Sequence, residues 1–208
     1  MSSLDERDLR FPKQFGDFSE SLVMYILGLN NWSVALIDHV GADVIAVRRS
    51  DENKKLAISV KGRNFPVKES KSFEFDKNNI DKLRDTANML GMIPAVSFVF
   101  VDSQEEKRKI RIIMAELSTL ECLTENPEIY FVNYNSKHGI QIKFTQSQRT
   151  NHLKIIKQTP DVFYSELVFD SENVFHWSIF SDVFRLIIGG SGKGYKNKFS
   201  FIPLKRLN

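Results

Sequence analysis

Residues 16–29, GDFSESLVMYILGL, are apolar nearly all round and predict a helix. Asp17 stands where an N-cap belongs, and Glu20 follows at capping-box spacing. Asn30-Asn31 ends the pattern, and WSVALI (32–37), ADVIAV (42–47) and KLAISVKG (55–62) predict three short strands joined by polar turns. After a polar loop, Asp76 is placed to cap a second helix with Ile80, Leu83, Ala87 and Leu90 at helical spacing, stopped by Gly91 and Pro94. PAVSFVFV (94–101) is continuously apolar, as a strand buried on both faces should be. A strand, helix, strand succession within one sheet predicts that residues 55–61 and 94–101 run parallel. KIRIIMAEL (109–117) is expected as a hairpin partner across the charged turn SQEEKRK.

The last third has a weaker pattern. Residues 128–133 and 139–145 suit a further hairpin, and residues 174–188 carry Val174, Trp177, Phe180, Phe184 and Ile187 at helical spacing. We expect one domain over residues 12–124 and an extension of unassigned role over 125–208, with a soft boundary near Thr124.

Composition narrows the class. The 208 residues are 42% hydrophobic and include 17 Phe, enough apolar surface for a real core and against disorder. One cysteine, Cys122, rules out an intramolecular disulfide and multi-thiolate metal sites; it is expected to be a buried, inert thiol in a reducing, cytoplasmic protein. The longest uncharged stretch, residues 21–37, contains Asn30-Asn31 and is shorter than the roughly 20 apolar residues of a membrane helix, so no membrane span is expected. The charged start MSSLDERDLR is unlike a secretory signal.

The net charge of +3 is unevenly spread. Residues 48–71 carry eight Lys/Arg against three Asp/Glu; residues 130–160 and 191–208 each carry five Lys/Arg and no acid. Converging basic runs would attract nucleic acid, with Arg48, Arg49, Arg63, Lys68, Lys71, Lys193, Lys196 and Lys198 as the expected contacts. The alternative is that each run is a solvated face.

Most motif-like features carry no chemistry. His39, His138, His152 and His176 show no metal-binding spacing, and GGSGKG (189–194) lacks the Ser/Thr after Lys and the preceding strand of a phosphate loop. The constellation that stands out is Glu20, then GADVI with Asp43, then ISVKGR with Ser59 and Lys61. Two-residue alternation sets Ser59 and Lys61 on one face of their strand, opposite Leu56, Ile58 and Val60. Hairpin pairing would bring Asp43 near Lys61, and Glu20 would arrive from the helix packed on the sheet. The plainer alternatives are a capping box for Glu20, a turn residue for Asp43 and a snorkelling strand-end lysine for Lys61.

The order helix with Glu20, strand, GADVIAV, strand ending in SVKG, helix and apolar strand resembles the PD-(D/E)XK nuclease superfamily, in particular its restriction-endonuclease-like and Holliday-junction-resolvase-like branches. The resemblance covers residues 16–101. It implies an α/β fold with an α-β-β-β-α-β core and mixed sheet, and a magnesium- or manganese-dependent endonuclease acting on DNA. Asp43, Glu20 and the Val60 carbonyl would be metal ligands, Lys61 the lysine at the scissile phosphate, and a second copy of the chain a further partner. Ser59 stands where the family has Glu or Asp. The three literal acidic-x-Lys tripeptides, at residues 52–54, 69–71 and 105–107, are expected in polar loops. The rival is a degenerate nuclease fold that only binds nucleic acid or scaffolds a complex.

Overall fold

A computed structural model describes residues 11–65, 71–102, 108–145, 147–169 and 175–178. The predicted core is present in order: α1 (Phe11–Leu29), β1 (Trp32–His39), β2 (Ala42–Arg48), β3 (Asp51–Phe65), α2 (Lys77–Leu90) and β5 (Ile93–Asp102), with β4 (Lys71–Phe75) inserted before α2. The expected polar loop there thus contains a strand, because Phe73 and Phe75 alternate with polar neighbours and are fully buried. Then follow β6 (Arg108–Glu116), α3 (Leu117–Glu125), a 3-10 turn, β7 (Val132–Asn135), β8 (Gly139–Phe144), α4 (Arg149–Gln158), β9 (Phe163–Phe169) and β10 (Phe175–Ser178).

Seven strands form a mixed sheet in the order β1-β2-β3-β5-β6-β9-β10, and β4-β8-β7 form a second, three-stranded sheet. The β3–β5 pairing is parallel over Leu56↔Ile93 to Phe65↔Asp102, as the crossover through α2 requires; β5–β6 is the expected antiparallel hairpin. Alternation on these strands builds two cores. Leu56, Ile58, Val60, Ala95 and Val99 face Leu22, Val23, Ile26 and Leu27 of α1. Ala57, Val96, Phe98 and Phe100 face the other way, under α2 and the small sheet. There Phe73 sits 5.2 Å from both the Phe98 and the Phe100 rings.

The residues beyond 125 share this core. β9 pairs with β6 in the large sheet, β8 with β4 in the small one, and Ile140, Ile142, Phe144, Leu153 and Ile156 join the Phe98 cluster. A buried ionic knot ties them in: Arg111 Nε donates to Glu166 Oε2 at 3.0 Å and to Tyr164 Oη at 3.1 Å, Tyr164 donates to Glu166 at 2.8 Å, and Lys109 and Lys157 flank the same carboxylate.

Several expectations need correction. α1 begins at Phe11, so Asp17 and Glu20 lie inside it and there is no capping box; Pro12 sits in the first turn, where its missing N–H costs no hydrogen bond. The expected helix over 174–188 is, at residues 175–178, a strand that pairs with β9, whose outer backbone groups would otherwise lie unpaired; residues 179–188 lie outside the described ones. Cys122 is exposed rather than buried. The Glu52-Asn53-Lys54 tripeptide opens β3 instead of lying in a loop. No helix among the described residues is long and apolar enough to cross a membrane.

Candidate functional site

The β2–β3 ladder is regular from Val47↔Lys55 to Val44↔Ile58 and stops there. One residue earlier on β2, the carboxylate of Asp43 takes the place of a backbone acceptor: its Oδ2 accepts from the Val60 N–H at 2.6 Å and from Ser59 Oγ at 3.3 Å. Asp43 Oδ1 has no hydrogen-bond partner among the described residues. Ser59 is buried at 3% exposure, so its hydroxyl is committed to Asp43 and not to solvent. In an extended strand the N–H and C=O of one residue point to the same side, so the Val60 carbonyl faces the Asp43 side as its N–H does.

Lys61 follows on the Ser59 face. It is half-buried, and its Nζ lies 5.7 Å from the centroid of the buried Phe75 ring of β4, a cation–π contact. No ion pair holds Lys61 among the described residues.

Glu20 reaches the same place from above. Gly62, next to Lys61, faces α1, and a Cβ there would lie 2.6 Å from Ser19 Oγ and 3.0 Å from the Phe15 ring. Ser19 is fully buried and donates to the Phe15 carbonyl at 2.6 Å. Only glycine lets α1 come down on β3 at this point. The contact falls one residue from Glu20 on the helix and one from Lys61 on the strand. On the other flank Gly41, two residues before Asp43, has φ +105° and no room for a Cβ against the Lys82 carbonyl of α2. Both helices are thus seated at the site by glycines.

The carboxyl group of Glu20 is half-buried, with no hydrogen bond or ion pair among the described residues. Burial, then Asp43 and Asp17, raise its pKa above the ordinary value, and Lys61 pulls it back. These influences show that Glu20, Asp43 and Lys61 share one electrostatic neighbourhood.

The structure therefore brings together Glu20, Asp43, Ser59, the Val60 backbone and Lys61. Arg63, exposed and donating to the Gly62 carbonyl, lies beside them. Arg48 and Arg49 do not: they lie at the opposite end of β2, five and six residues from Asp43, or roughly 16–20 Å at strand spacing. Arg48 stacks on Trp32, and Arg49 bonds Ser33. Lys54 of the first tripeptide pairs with Glu116 at that far end. Lys71 opens β4, its side chain outside the described residues, as are Lys68, Lys193, Lys196, Lys198, the 189–194 glycine cluster and residues 105–107.

Oxygen donors of this kind, two carboxylates and a backbone carbonyl, fit a hard divalent cation. Among the described residues no group of three or more His, Cys, Asp or Glu is gathered for a metal, and the side chain that meets Asp43 from β3 is the hydroxyl of Ser59. Sequence reasoning missed Ser19 and Phe75, the residues that seat Glu20 and Lys61. The glycine in SVKG was the available signal for the first, and a strand within the 63–75 stretch for the second.

No protein-family model matches the chain, and no curated protein matches it by sequence. Among solved structures, it is similar to Hjc, a Holliday junction resolvase of the archaeal hyperthermophile Archaeoglobus fulgidus, at 13% identity and a TM-score of 0.40 over 65% of this chain and 88% of that one. An overlap at that score leaves the chain's own geometry to carry the functional argument.

Proposed function

We propose that this protein is a divalent-metal-dependent DNA endonuclease of the PD-(D/E)XK kind, hydrolysing phosphodiester bonds at the splayed end of β2 and β3. The observation that carries the reading is the convergence of Glu20, Asp43 and Lys61 from a helix and two strands onto one place. Each is half-buried, and no two of them are paired with each other. Paired carboxylate and lysine would be a structural ion pair; held apart, they remain free to act on a third group.

Glu20, Asp43 Oδ1 and the Val60 carbonyl would hold magnesium or manganese, with a DNA phosphate oxygen and waters completing the shell. When bound, the ion supplies positive charge to the scissile phosphate and helps generate the nucleophile. The chain's own part is positional. Val60 N–H and Ser59 Oγ fix one oxygen of Asp43 and so aim the other. Phe75 supports the Lys61 ammonium, which sets positive charge where the transition state gathers negative charge. Arg63 stands beside the site to hold the DNA backbone.

A second reading is favoured by one observation: Ser59 makes a closed hydrogen bond to Asp43 and removes one carboxylate, as a fold that has kept DNA binding and lost cleavage would show. Incubation of plasmid, single-stranded and branched DNA with magnesium or manganese separates the two. Cleavage that chelation and Lys61→Ala each abolish supports the enzyme; binding without cleavage under every condition leaves the binding-only protein.

A further inference from the structure

The small sheet ends beside Lys61. Phe75, whose ring lies under the Lys61 ammonium, is the last residue of β4 and pairs with Ile140 of β8. The residue before Ile140, Gly139, packs so closely on the Phe75 carbonyl and Asp76 that a Cβ there would overlap them. The β7–β8 turn, residues 136–138, is therefore fixed against the segment that carries the lysine's support.

What this turn displays suits a polyanion. Lys137 is exposed, with no ion pair among the described residues; only its backbone N–H is engaged, by Asn135 Oδ1 at 2.8 Å. Tyr134 is 50% exposed at the end of β7. The nearby acid of β4, Glu74, lies on the opposite face of the small sheet from Tyr134 and is taken up by Gln141 Nε2 at 3.0 Å, Ser72 Oγ at 3.3 Å and His138 Nδ1 at 3.6 Å. The carboxylate of Asp76 is spent on capping α2 through the Asn79 N–H. The turn lies within the acid-free run 130–160, and Asn135 Oδ1 also accepts from the His138 N–H, which holds the turn's shape.

From this placement we infer that the β7–β8 turn is a second DNA contact, with Lys137 meeting a backbone phosphate on one side of the cleavage site and Tyr134 flanking it. The inference rests on the proposed nuclease reading and assigns to the C-terminal extension the task of holding substrate. Continuity with the site and charge complementarity both favour DNA as the occupant.

The test is binding of a short fluorescein-labelled DNA duplex to the full-length protein by anisotropy across a salt series, in chelator so that nothing is cut. Lys137→Ala and Tyr134→Ala are compared with Lys154→Ala, an exposed lysine of α4. Lys137→Ala is expected to weaken binding several-fold on any sequence and to lower the log–log salt slope by about one, with an unchanged melting temperature. Tyr134→Ala should weaken binding without changing that slope, and Lys154→Ala should change neither. If the parent binds DNA and Lys137→Ala binds equally well with an equal slope, this inference is overturned while the nuclease reading stands. If the parent binds no DNA at low salt, both fall.

Discussion

At the residue scale, the site rests on small groups that aim larger ones. Asp43 is held by a backbone N–H and a buried hydroxyl, and Glu20 and Lys61 are brought together by a helix that reaches β3 only because Gly62 has no Cβ. Gly62→Ala should therefore cost more cleavage than stability, and Ser19→Ala, which removes the Oγ nearest the new methyl, should restore part of it. Cleavage rates and melting temperatures of the two single variants and the double variant check this. Glu20 has its own signature. Its raised pKa means that the ion-free native state disfavours the charged carboxylate, so the stability it contributes is full below the ordinary value of 4.5 and is lost as pH rises through the raised one. Glu20→Gln should raise the melting temperature at neutral pH and leave it unchanged in acid, and added manganese should stabilise the parent but not Glu20→Gln.

The nearness of Asp43 to Lys61 and Gly62 was legible at this scale because they sit in two successive runs of strand sequence, 42–47 and 55–62, joined by one short polar turn. What held them was not legible. The Ser59–Asp43 bond, the Ser19–Gly62 contact and the Phe75 ring under Lys61 join residues 14 to 43 positions apart, and no local period reports such distances. Nearness in sequence was a poor guide to nearness in space for the same reason: Arg48 and Arg49 follow Asp43 closely in sequence, but an extended strand carries them to its other end.

At the scale of elements, strong periodicity predicted what formed. α2 has its Asp76 cap and Gly91 stop, and β5 is buried on both faces. The failures lie where tertiary pairing decided. β4 is short and flanked by charge, and became a strand because β8 offered it a partner. Residues 175–178 have helical spacing yet pair with β9. The knot that ties β9 to β6 and α4 is the clearest case, since Arg111, Lys157, Tyr164 and Glu166 are unremarkable in sequence. Burial opposes the charge on Glu166, but Arg111, the Tyr164 hydroxyl, Lys157 and Lys109 outweigh it and hold its carboxyl below the ordinary range. A lowered carboxyl pKa contributes stability that is present above the unfolded-state value and is lost as pH falls through the folded one. Glu166→Gln should leave Arg111 buried without its counter-charge and cost about 3–5 kcal/mol at neutral pH. Urea titrations should show that difference shrinking as pH falls below the ordinary carboxylate range; an undiminished difference in acid would contradict the ionic account.

At the scale of the molecule, one sheet joins an N-terminal half that carries the carboxylates and lysine to a C-terminal extension that covers their support. Residues 132–144 bring Gly139 and Ile140 against Phe75, so the extension is part of what builds the site. The claim on which the rest depends is that Asp43 and Glu20 form an ion site one carboxylate short. Calorimetric titration of manganese into the Ser59→Glu protein, with the parent and Ser59→Glu/Asp43→Ala alongside, tests it most directly. The account predicts tight binding in Ser59→Glu, weak binding in the parent that strengthens when DNA supplies a phosphate oxygen, and none once Asp43 is lost. A folded Ser59→Glu protein that binds no manganese, or one that binds it equally well without Asp43, would contradict the account.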